Sequence, residues 1–352
     1  MGRIFNSEMI FVDFHHSSLL RSLVLLFEKR LDLSVYRPIG MDWYYNGYWA
    51  INALEPTARQ FLDINSTEVV DKTPFLNDAA LAGDGIYCIY DPGGKSIHKA
   101  IEFDTFKQVK FDFIIASIPQ HIPLFQDLIE RYQPQAKLIV QIGNNWDPVI
   151  LRGHNVMASV KPMPSTDFNA VYYHQEFDTN IFTYKQNIQN KKISSYINIL
   201  QHTKGWDDFC NIESALGSHG YKLKSYGGQC RDGNFAGPHK LAESMHDNDL
   251  IFHVKHGGDG YGHIIYNAYA CGRAPIIRSS FYHNQLAEEL FADDNCIDLD
   301  KIPLDDAINK IKEVTQNQEL LNQYSMNAYN SFQRSVSFEN DAEKVFEWLH
   351  TI

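Results

Sequence analysis

Short apolar runs alternate with amphipathic stretches along the first half of the chain. Residues 9–14 (MIFVDF), 111–119 (FDFIIASIP) and 137–143 (KLIVQIG) are apolar runs of strand length. Runs of this kind are typical of strands that are covered on both faces. Residues 19–31 and 124–132 carry apolar side chains at helical spacing. Because strands that alternate with helices pair in parallel through right-handed crossovers, this pattern predicts a doubly wound α/β sheet.

Two further apolar runs, residues 33–38 and 85–91, predict additional strands. The residues between these two runs carry aromatic side chains and turn residues without a regular period. Ser17 or Ser18 is expected to cap the helix after the first strand, because a serine hydroxyl accepts a hydrogen bond from the free N–H groups of a first turn.

The same alternation returns in the second half of the chain, after a polar stretch. Residues 174–192 (HQEFDTNIFTYKQNIQNKK) are rich in amides and lack apolar periodicity, so we interpret this region as a linker. Beyond it, residues 194–200 predict a strand and residues 283–291 predict a helix near the end of the second half. We therefore predict two doubly wound, Rossmann-like domains that face each other across a cleft. The predicted parts are an N-terminal domain 1–175, a linker 176–192, a C-terminal domain 193–335 and a closing helix 336–352.

Composition and charge narrow the class of protein. The chain has 352 residues, of which 44% are hydrophobic and 21% are charged, as in ordinary globular proteins. Its formal net charge of -12 argues against a general binder of nucleic acids or membrane surfaces. The five cysteines are odd in number and form no CxxC pair, so we expect a reducing, cytoplasmic location. No run of 18 apolar residues occurs, so no integral membrane segment is expected.

A glycine-rich loop, residues 257–263 (GGDGYGH), lies between a predicted strand at 250–255 and a predicted helix that starts near Gly262. Glycines let a ligand approach the backbone closely, and the N-terminus of a helix attracts phosphate groups. The glycine spacing does not match G-x-G-x-x-G, and no Walker lysine follows the loop. The loop therefore indicates a phosphate-containing ligand but weakens the ordinary dinucleotide and P-loop interpretations.

The segment DGYGHIIYNAYACG, residues 259–272, resembles the donor-binding motif of GT-B glycosyltransferases, especially the retaining family 4-like group, often written E-G-F-G-x4-E-A-x-A-x-G. Asp259 stands at the position of the first glutamate and Asn267 at that of the second. In the family the first acid binds hydroxyls of the donor sugar, and the second binds the ribose hydroxyls. An amide at 267 still bonds a diol, but without the charge that strengthens such bonds.

A second segment, INILQHTKGWDDF, resembles the strand, loop and helix in which the same family binds the donor diphosphate through a Lys-Gly pair. Lys204 and Gly205 occupy those two positions, whereas Ile199 stands where the family has a phosphate-binding arginine. Either the donor pocket is altered at this position or another cation replaces the arginine, and the candidates are Arg231, Lys255 and Arg278. The resemblance implies that the donor site consists of Lys204, Gly205, Gly258, Gly260, Tyr261, Gly262, His263 and Asn267.

The resemblance assigns the acceptor site to the N-terminal domain, where the predicted strands end in polar residues. The acceptor-side candidates after the strand at 137–143 are Asn144, Asn145 and Asp147. Histidines follow two other strands, and a histidine at such a place bonds a sugar hydroxyl or acts as a base. The catalytic candidates are His15, His16, His121 and Asp259.

The resemblance implies transfer of a sugar from a nucleoside-diphosphate sugar to an acceptor hydroxyl. It also implies that the configuration of the sugar is retained and that the reaction needs no cofactor and no metal. The sequence also offers possible metal ligands as an alternative: His253, His256 and His263, or the aspartates of residues 298–300. No nearby cysteine or glutamate completes a ligand set at either place. Two other functions stay open: a nucleotide-sugar 2-epimerase of the same fold, and a sugar-nucleotide-binding protein without turnover. The partners expected are a nucleotide sugar and an unidentified hydroxyl acceptor, which is a glycan, a small molecule or a nucleic acid.

Overall fold

A computed structural model of the protein describes residues 8–13, 17–38, 79–83, 85–90, 96–144, 148–160, 168–235, 237–255 and 260–352. The chain divides into two units. Unit 1 comprises Met1–Glu176 and Phe338–Ile352, and unit 2 comprises Phe177–Ser337. Each unit is built around its own mainly parallel sheet, as the alternation of strands and helices predicts.

Unit 1 contains a nine-stranded sheet with the order β3-β4-β5-β2-β1-β6-β7-β8-β9. The strands are β1 (Met9–Val12), β2 (Ser34–Pro38), β3 (Ala79–Gly83), β4 (Ile86–Tyr90), β5 (Ser96–Ile101), β6 (Phe113–Ala116), β7 (Lys137–Ile142), β8 (Asn155–Ala158) and β9 (Asn169–Tyr172). All neighbouring pairs from β5 to β9 are parallel. At the other edge, β4 pairs antiparallel with both β3 and β5.

The antiparallel edge and strands β8 and β9 are not predicted by the sequence pattern. β8 and β9 are only four residues long, and in β9 only Val171 is buried. Strands this short do not form the apolar run that marks a buried strand in a sequence. The folded sheet identifies them, because β8 pairs with β7 and β9 pairs with β8.

Helices cover both faces of this sheet. Unit 1 contains α1 (Ser17–Val24), which continues as a π-helix (Leu25–Arg30), α2 (Phe103–Gln108), α3 (Ile122–Tyr132) and α9 (Phe338–Leu349). On one face, Phe27 and Val345 pack with Ile10 of β1 in a buried cluster, and on the other face Phe125 packs with Phe11. Neighbouring residues of β1 thus point into opposite cores, as the period of two in a strand requires.

The start of α1 differs from the prediction. The helix begins at Ser17, so both Ser17 and Ser18 lie within its first turn and neither is the residue that precedes the helix. The wrong assignment arose because the apolar periodicity starts only at Leu19, whereas the first turn of a helix need not carry apolar residues.

The C-terminal residues are fastened to unit 1 by polar contacts as well as by packing. Arg30 bonds the carboxylates of Glu176 and Glu339, and the Nδ1 atom of His174 lies 2.7 Å from Asp341 Oδ2. The Asp341 side chain is buried, with 5% exposed. These contacts join α9 to the π-helix and to the chain that follows β9, so α9 is an integral part of unit 1.

Unit 2 contains a five-stranded parallel sheet with the order β11-β10-β12-β13-β14. Its strands are β10 (Lys192–Ser195), β11 (Lys222–Ser225), β12 (Leu250–Phe252), β13 (Pro275–Ile277) and β14 (Ile297–Asp298). Its helices are α4 (Gly205–Gly217), α5 (Gly237–His246), α6 (His263–Ala270), α7 (Leu304–Gln316) and α8 (Gln318–Ser335). Strand order reverses between β10 and β12, and the loops at the carboxyl ends of these two strands are where doubly wound sheets bind ligands.

Two elements of unit 2 differ from their predictions. The strand predicted at 194–200 ends at Ser195, and Leu200–His202 is a short 3-10 helix. The helix predicted at 283–291 is replaced by a 3-10 helix, Leu286–Leu290, and another 3-10 helix, Ser279–Tyr282, precedes this range. In both regions the apolar spacing reports buried positions, such as Leu200 and Leu290, but not the type of helix that places them.

The polar stretch before β10 packs against unit 2. Residues 177–191 contain neither a helix nor a strand, yet Asn187 donates a hydrogen bond to the backbone oxygen of Asp249. The buried guanidinium of Arg273 donates to the backbone oxygen of Lys185, and His246 bonds that of Thr183. Backbone carbonyls of this stretch therefore satisfy polar side chains of the unit, which explains its amide-rich, aperiodic sequence.

No helix among the residues that the structure describes is long and apolar enough to cross a membrane.

Candidate functional site

Helix α4 brings Lys204 and Gly205 to the carboxyl end of β10. Lys204 immediately precedes the helix and is exposed, and within the described residues its side chain makes no hydrogen bond or ion pair. A side-chain carbon built on Gly205 would overlap the backbone oxygen of Val254, which follows β12. Glycine at 205 therefore lets the start of α4 approach the loop after β12, and Lys204 lies directly before the first turn of the helix.

Helix α6 begins at the glycine-rich loop. Gly260 and Gly262 have positive φ angles of 52° and 73°, and Gly262 is the residue before the helix. Side chains other than glycine rarely adopt this conformation, so the glycines at these two positions are required by the backbone. Between them, Tyr261 stacks on Tyr266 with ring centroids 4.3 Å apart and an angle of 6° between the rings. Gly258 and Asp259 lie outside the described residues.

Asn267 lies one turn after His263 on the same face of α6. Its side chain is 6% exposed, and its Oδ1 atom has no hydrogen-bond partner among the residues that the structure describes. A buried amide oxygen that accepts no hydrogen bond costs about 1–3 kcal/mol. This acceptor is the kind of group that a ligand hydroxyl would satisfy.

Two of the three cations proposed to replace the missing arginine already have carboxylate partners. Arg231 donates two hydrogen bonds to Glu213, at 2.9 Å and 2.8 Å, and a further one to Asp232. The hydrogen bond to Glu213 raises the pKa of Arg231 further. Arg278 binds both carboxylate oxygens of Asp208 and also pairs with Asp300. Two of the three substitutes therefore already pair with carboxylates. The sequence could not show this, because Glu213 is 18 residues from Arg231 and Asp208 is 70 residues from Arg278.

Lys255, the third substitute, lies three residues after Phe252, the last residue of β12, and just before the glycine-rich loop. It is half-buried.

Ile199, at the position of the family arginine, has an unusual backbone. Its φ of 54° and ψ of 29° place it in the left-handed region, and its side chain is 44% exposed. Its N–H group donates to the backbone oxygen of Gly228 at 2.9 Å, and the neighbouring Asn198 Oδ1 accepts from Gly228 N. These contacts hold the loop after β10 against the loop after β11, and they keep a β-branched residue in a strained conformation.

Replacing Ile199 with asparagine is expected to stabilise unit 2 by about 1 kcal/mol, because asparagine tolerates the left-handed conformation that costs other residues about 1–2 kcal/mol. The measurement is the midpoint of urea-induced unfolding. Ile188→Asn is the matched control, because Ile188 is 61% exposed and has no positive φ angle. Equal midpoints for the two variants would show that the backbone at 199 is not strained.

Among the candidates of unit 1, the structure describes His121 and Asn144. Asn144 is exposed, two residues after β7 ends. His121 is buried at the end of the 3-10 helix Pro119–His121, directly before α3. His15, His16, Asn145 and Asp147 lie outside the described residues.

Asp13 is a polar residue of this region that the sequence analysis missed. It directly follows β1, is 1% exposed, and its Oδ2 atom lies 2.6 Å from Nδ1 of His121. The sequence did contain a signal for this residue, because an aspartate within an apolar run such as MIFVDF is unusual for a buried strand. The contact with His121 joins residues 108 positions apart, so only the folded sheet reveals it.

The aspartates considered as metal ligands have hydrogen-bond and ion-pair partners within unit 2. Asp298 accepts hydrogen bonds from the backbone N–H groups of Ser279 and Asp300, while Asp300 pairs with Arg278. His256 lies outside the described residues. Across the described part of the chain, no three His, Cys, Asp or Glu side chains are grouped as metal ligands.

No protein-family profile matches the sequence, and no curated protein matches it in sequence. Solved structures, in contrast, match nearly the whole chain. HepE from Anabaena, in complex with UDP and glucose, is 11% identical with a TM-score of 0.62, covering 99% of this chain and 100% of its own. A mutant of S. aureus TarM, in complex with fondaparinux, alpha-GlcNAc-glycerol and UDP, is 12% identical with a TM-score of 0.62. The match covers 97% of this chain and 99% of the TarM chain. Sucrose-phosphate synthase from Thermosynechococcus elongatus is 10% identical with a TM-score of 0.62, covering 98% of each chain. The chain therefore has the fold of the GT-B glycosyltransferases.

Proposed function

We propose that the protein is a glycosyltransferase that moves a sugar from a nucleoside-diphosphate sugar to an acceptor hydroxyl, with retention and without a metal, in the cytoplasm. The acceptor oxygen forms a bond to the anomeric carbon, and the bond from that carbon to the diphosphate oxygen breaks. The electron pair leaves with the diphosphate, and the hydroxyl proton passes to a base or to solvent. The observation that carries the proposal is Lys204, an exposed cation at the N-terminus of α4 that makes no ion pair with any residue the structure describes.

Charge develops on the leaving diphosphate, so the donor site must supply positive charge in a fixed place. Lys204 offers an ammonium group, and the first N–H groups of α4 add the positive end of the helix dipole. Arg231 and Arg278 have carboxylate partners, so they contribute little net positive charge to a phosphate. We infer that Lys204 and the N-termini of α4 and α6 bind the diphosphate.

Asn267 supports the nucleoside part of the proposal. Its buried Oδ1 atom lacks a partner in the described chain, and a ribose hydroxyl is a donor of the right kind. Tyr261, stacked on Tyr266, fixes the loop between Gly260 and Gly262 at the start of the same helix. The solved structures of HepE and TarM contain UDP, which makes uridine diphosphate the first nucleotide to test here.

The test of this proposal is a panel of nucleotide sugars incubated with the purified protein, with and without EDTA. We expect slow hydrolysis of one donor, which releases the nucleoside diphosphate, and no effect of EDTA. Appearance of an epimerised sugar would favour the 2-epimerase. Saturable binding without any product would favour a binding protein, and activity that requires Mn²⁺ or Mg²⁺ would refute the metal-free mechanism.

Substitutions at Asn267 test the nucleoside site. Asn267→Ala is expected to weaken donor binding by one or two neutral hydrogen bonds, about 0.5–1.5 kcal/mol each. Asn267→Glu restores the family charge and is expected to keep or raise the affinity, because bonds to an ionised acceptor are stronger. Asp259→Asn is expected to reduce turnover more than binding, since Asp259 is proposed to contact the reacting sugar.

The measurement for these three variants is the donor dissociation constant from calorimetry together with kcat. An Asn267→Ala protein that binds the donor as tightly as the parent would show that α6 does not face the ribose. The motif alignment would then be wrong, and the roles of the other glycine-loop residues would need to be reassigned.

A further inference from the structure

The loop after β10 presents three exposed side chains just before α4, those of Ile199, His202 and Lys204. Between them, Leu200 is buried and Thr203 is half-buried. The N–H of His202 donates to the backbone oxygen of Ile199 at 2.8 Å, which closes a 3-10 turn. Residues three apart lie on the same side of such a turn. His202 is therefore the residue that the turn places beside position 199.

The loop after β11 holds this turn in place. The N–H of Ile199 donates to the backbone oxygen of Gly228, and the side-chain amide of Gln201 donates to that of Gln229. Within the turn, the Thr203 hydroxyl donates to the backbone oxygen of Leu200 at 2.8 Å. Because these contacts are made by the protein alone, the turn is ordered before a ligand binds, and its ordering adds little to the cost of binding.

Position 199 is where the resemblance expects a phosphate-binding arginine, and isoleucine offers a phosphate no polar group. The imidazole of His202 is exposed and makes no hydrogen bond or ion pair with any residue that the structure describes. A neutral imidazole supplies one N–H donor, and a protonated imidazole adds a positive charge. His202 thus provides, beside position 199, the chemistry that Ile199 lacks.

We infer that His202 takes the place of the missing arginine: together with Lys204 it binds the diphosphate of the donor, and its imidazolium form binds more tightly than its neutral form. The inference rests on the proposed function, because that function supplies the diphosphate. His202 lies within the segment that resembles the Lys-Gly loop of the family, but the resemblance assigns it no role. The charged form of an imidazole is present at low pH and is lost as the pH rises, so donor binding should strengthen on acidification.

Other charged and titratable side chains lie on the elements around this turn and the start of α4. They are Asp207, Asp208 and Cys210 on α4, Cys230, Arg231 and Asp232 after β11, and His253 and Lys255 after β12. Asp208 pairs with Arg278, and Arg231 pairs with Glu213. The variant His202→Ala retains all of these groups, so a pH dependence that belongs to one of them persists in this variant.

The experiment is calorimetric titration of the full-length parent and its variants with UDP, at about pH 6 and about pH 8, on either side of the range in which imidazoles titrate. His202→Ala is expected to bind UDP about tenfold more weakly than the parent at the lower pH and about threefold more weakly at the higher pH, because hydrogen bonds to charged groups contribute more than neutral ones. The terminal phosphate of UDP also titrates near pH 6. Each variant is therefore compared with the parent at the same pH.

His219 provides the matched control. It is exposed and lies two residues after Gly217, at the opposite end of α4. His219→Ala removes the same kind of side chain from unit 2, and it is expected to bind UDP with the affinity of the parent at both pH values.

Two arginine variants test whether His202 and the family arginine serve the same phosphate. His202→Arg keeps its charge at both pH values, so it is expected to bind UDP about tenfold more tightly than His202→Ala at each of them. Ile199→Arg introduced into His202→Ala is expected to restore binding. Introduced into the parent, Ile199→Arg is expected to gain less, because two groups that contact one phosphate do not contribute additively.

The outcomes separate this inference from the proposed function. A parent protein that binds no UDP and turns over no nucleotide sugar refutes both. If the donor panel identifies another nucleotide, its diphosphate replaces UDP in the same titrations. A parent that binds the nucleotide no more tightly than His202→Ala at the lower pH overturns only the role of His202. A loss of equal size at both pH values contradicts the charge assigned to it, as does a nucleotide that fails to shift the His202 ring resonances toward those of imidazolium.

Discussion

Replacement of Gly205 by alanine is expected to displace the first turn of α4 and to weaken both the fold of unit 2 and its binding of a nucleoside diphosphate. A side-chain carbon at this position overlaps the backbone oxygen of Val254, which has no flexible side chain that could move aside. Overpacking of this kind costs about 1–3 kcal/mol, and contact with backbone places the expected cost at or above the upper end. The measurements are urea-induced unfolding and calorimetric titration with UDP.

Gly217 provides the control for this prediction, because it is the last residue of the same helix. A side-chain carbon on Gly217 meets no atom within 4 Å, and its φ angle is not positive. Gly217→Ala is therefore expected to stabilise the protein by about 0.4–1 kcal/mol through the unfolded state. If both variants unfold at the same urea concentration as the parent, α4 does not press on the loop after β12 in solution.

Removal of the Lys204 ammonium group is expected to weaken UDP binding roughly 10- to 150-fold without changing the fold. This range corresponds to the loss of a charge-assisted hydrogen bond worth about 1.5–3 kcal/mol. The effect is expected to be large because two of the three cations considered as substitutes, Arg231 and Arg278, are paired with carboxylates. Calorimetric titration of Lys204→Ala with UDP gives the change in dissociation constant.

Lys240→Ala serves as the control for the charge itself. Lys240 is exposed on α5 and pairs with Glu243, so its removal changes the net charge of unit 2 by the same amount. We expect UDP to bind this variant with the affinity of the parent. A Lys204→Ala protein that also binds like the parent would exclude Lys204 from the donor site and remove the main support for the proposed function.

The backbone features of the candidate donor site could be predicted because their signals are local in sequence. Gly260 and Gly262 lie in a strand-to-helix loop, and the structure gives both positive φ angles. Lys204 and Gly205 directly precede and begin a helix whose amphipathic pattern is readable over one continuous stretch. Local backbone requirements of this kind are written into neighbouring residues, so a single sequence shows them.

The sequence by itself determined the alternation of strands and helices, the doubly wound class of both sheets and the positions of the glycine-rich loop and of Lys204. Each of these depends on residues close together in the chain. Only the tertiary structure decided that Arg231 and Arg278 belong to carboxylates, that Asp13 holds His121, and that Asn267 keeps a buried acceptor without a partner in the described chain. The physical reason is that side-chain pairing depends on which strand ends and helices become neighbours, and a one-dimensional pattern of apolar positions does not contain that information.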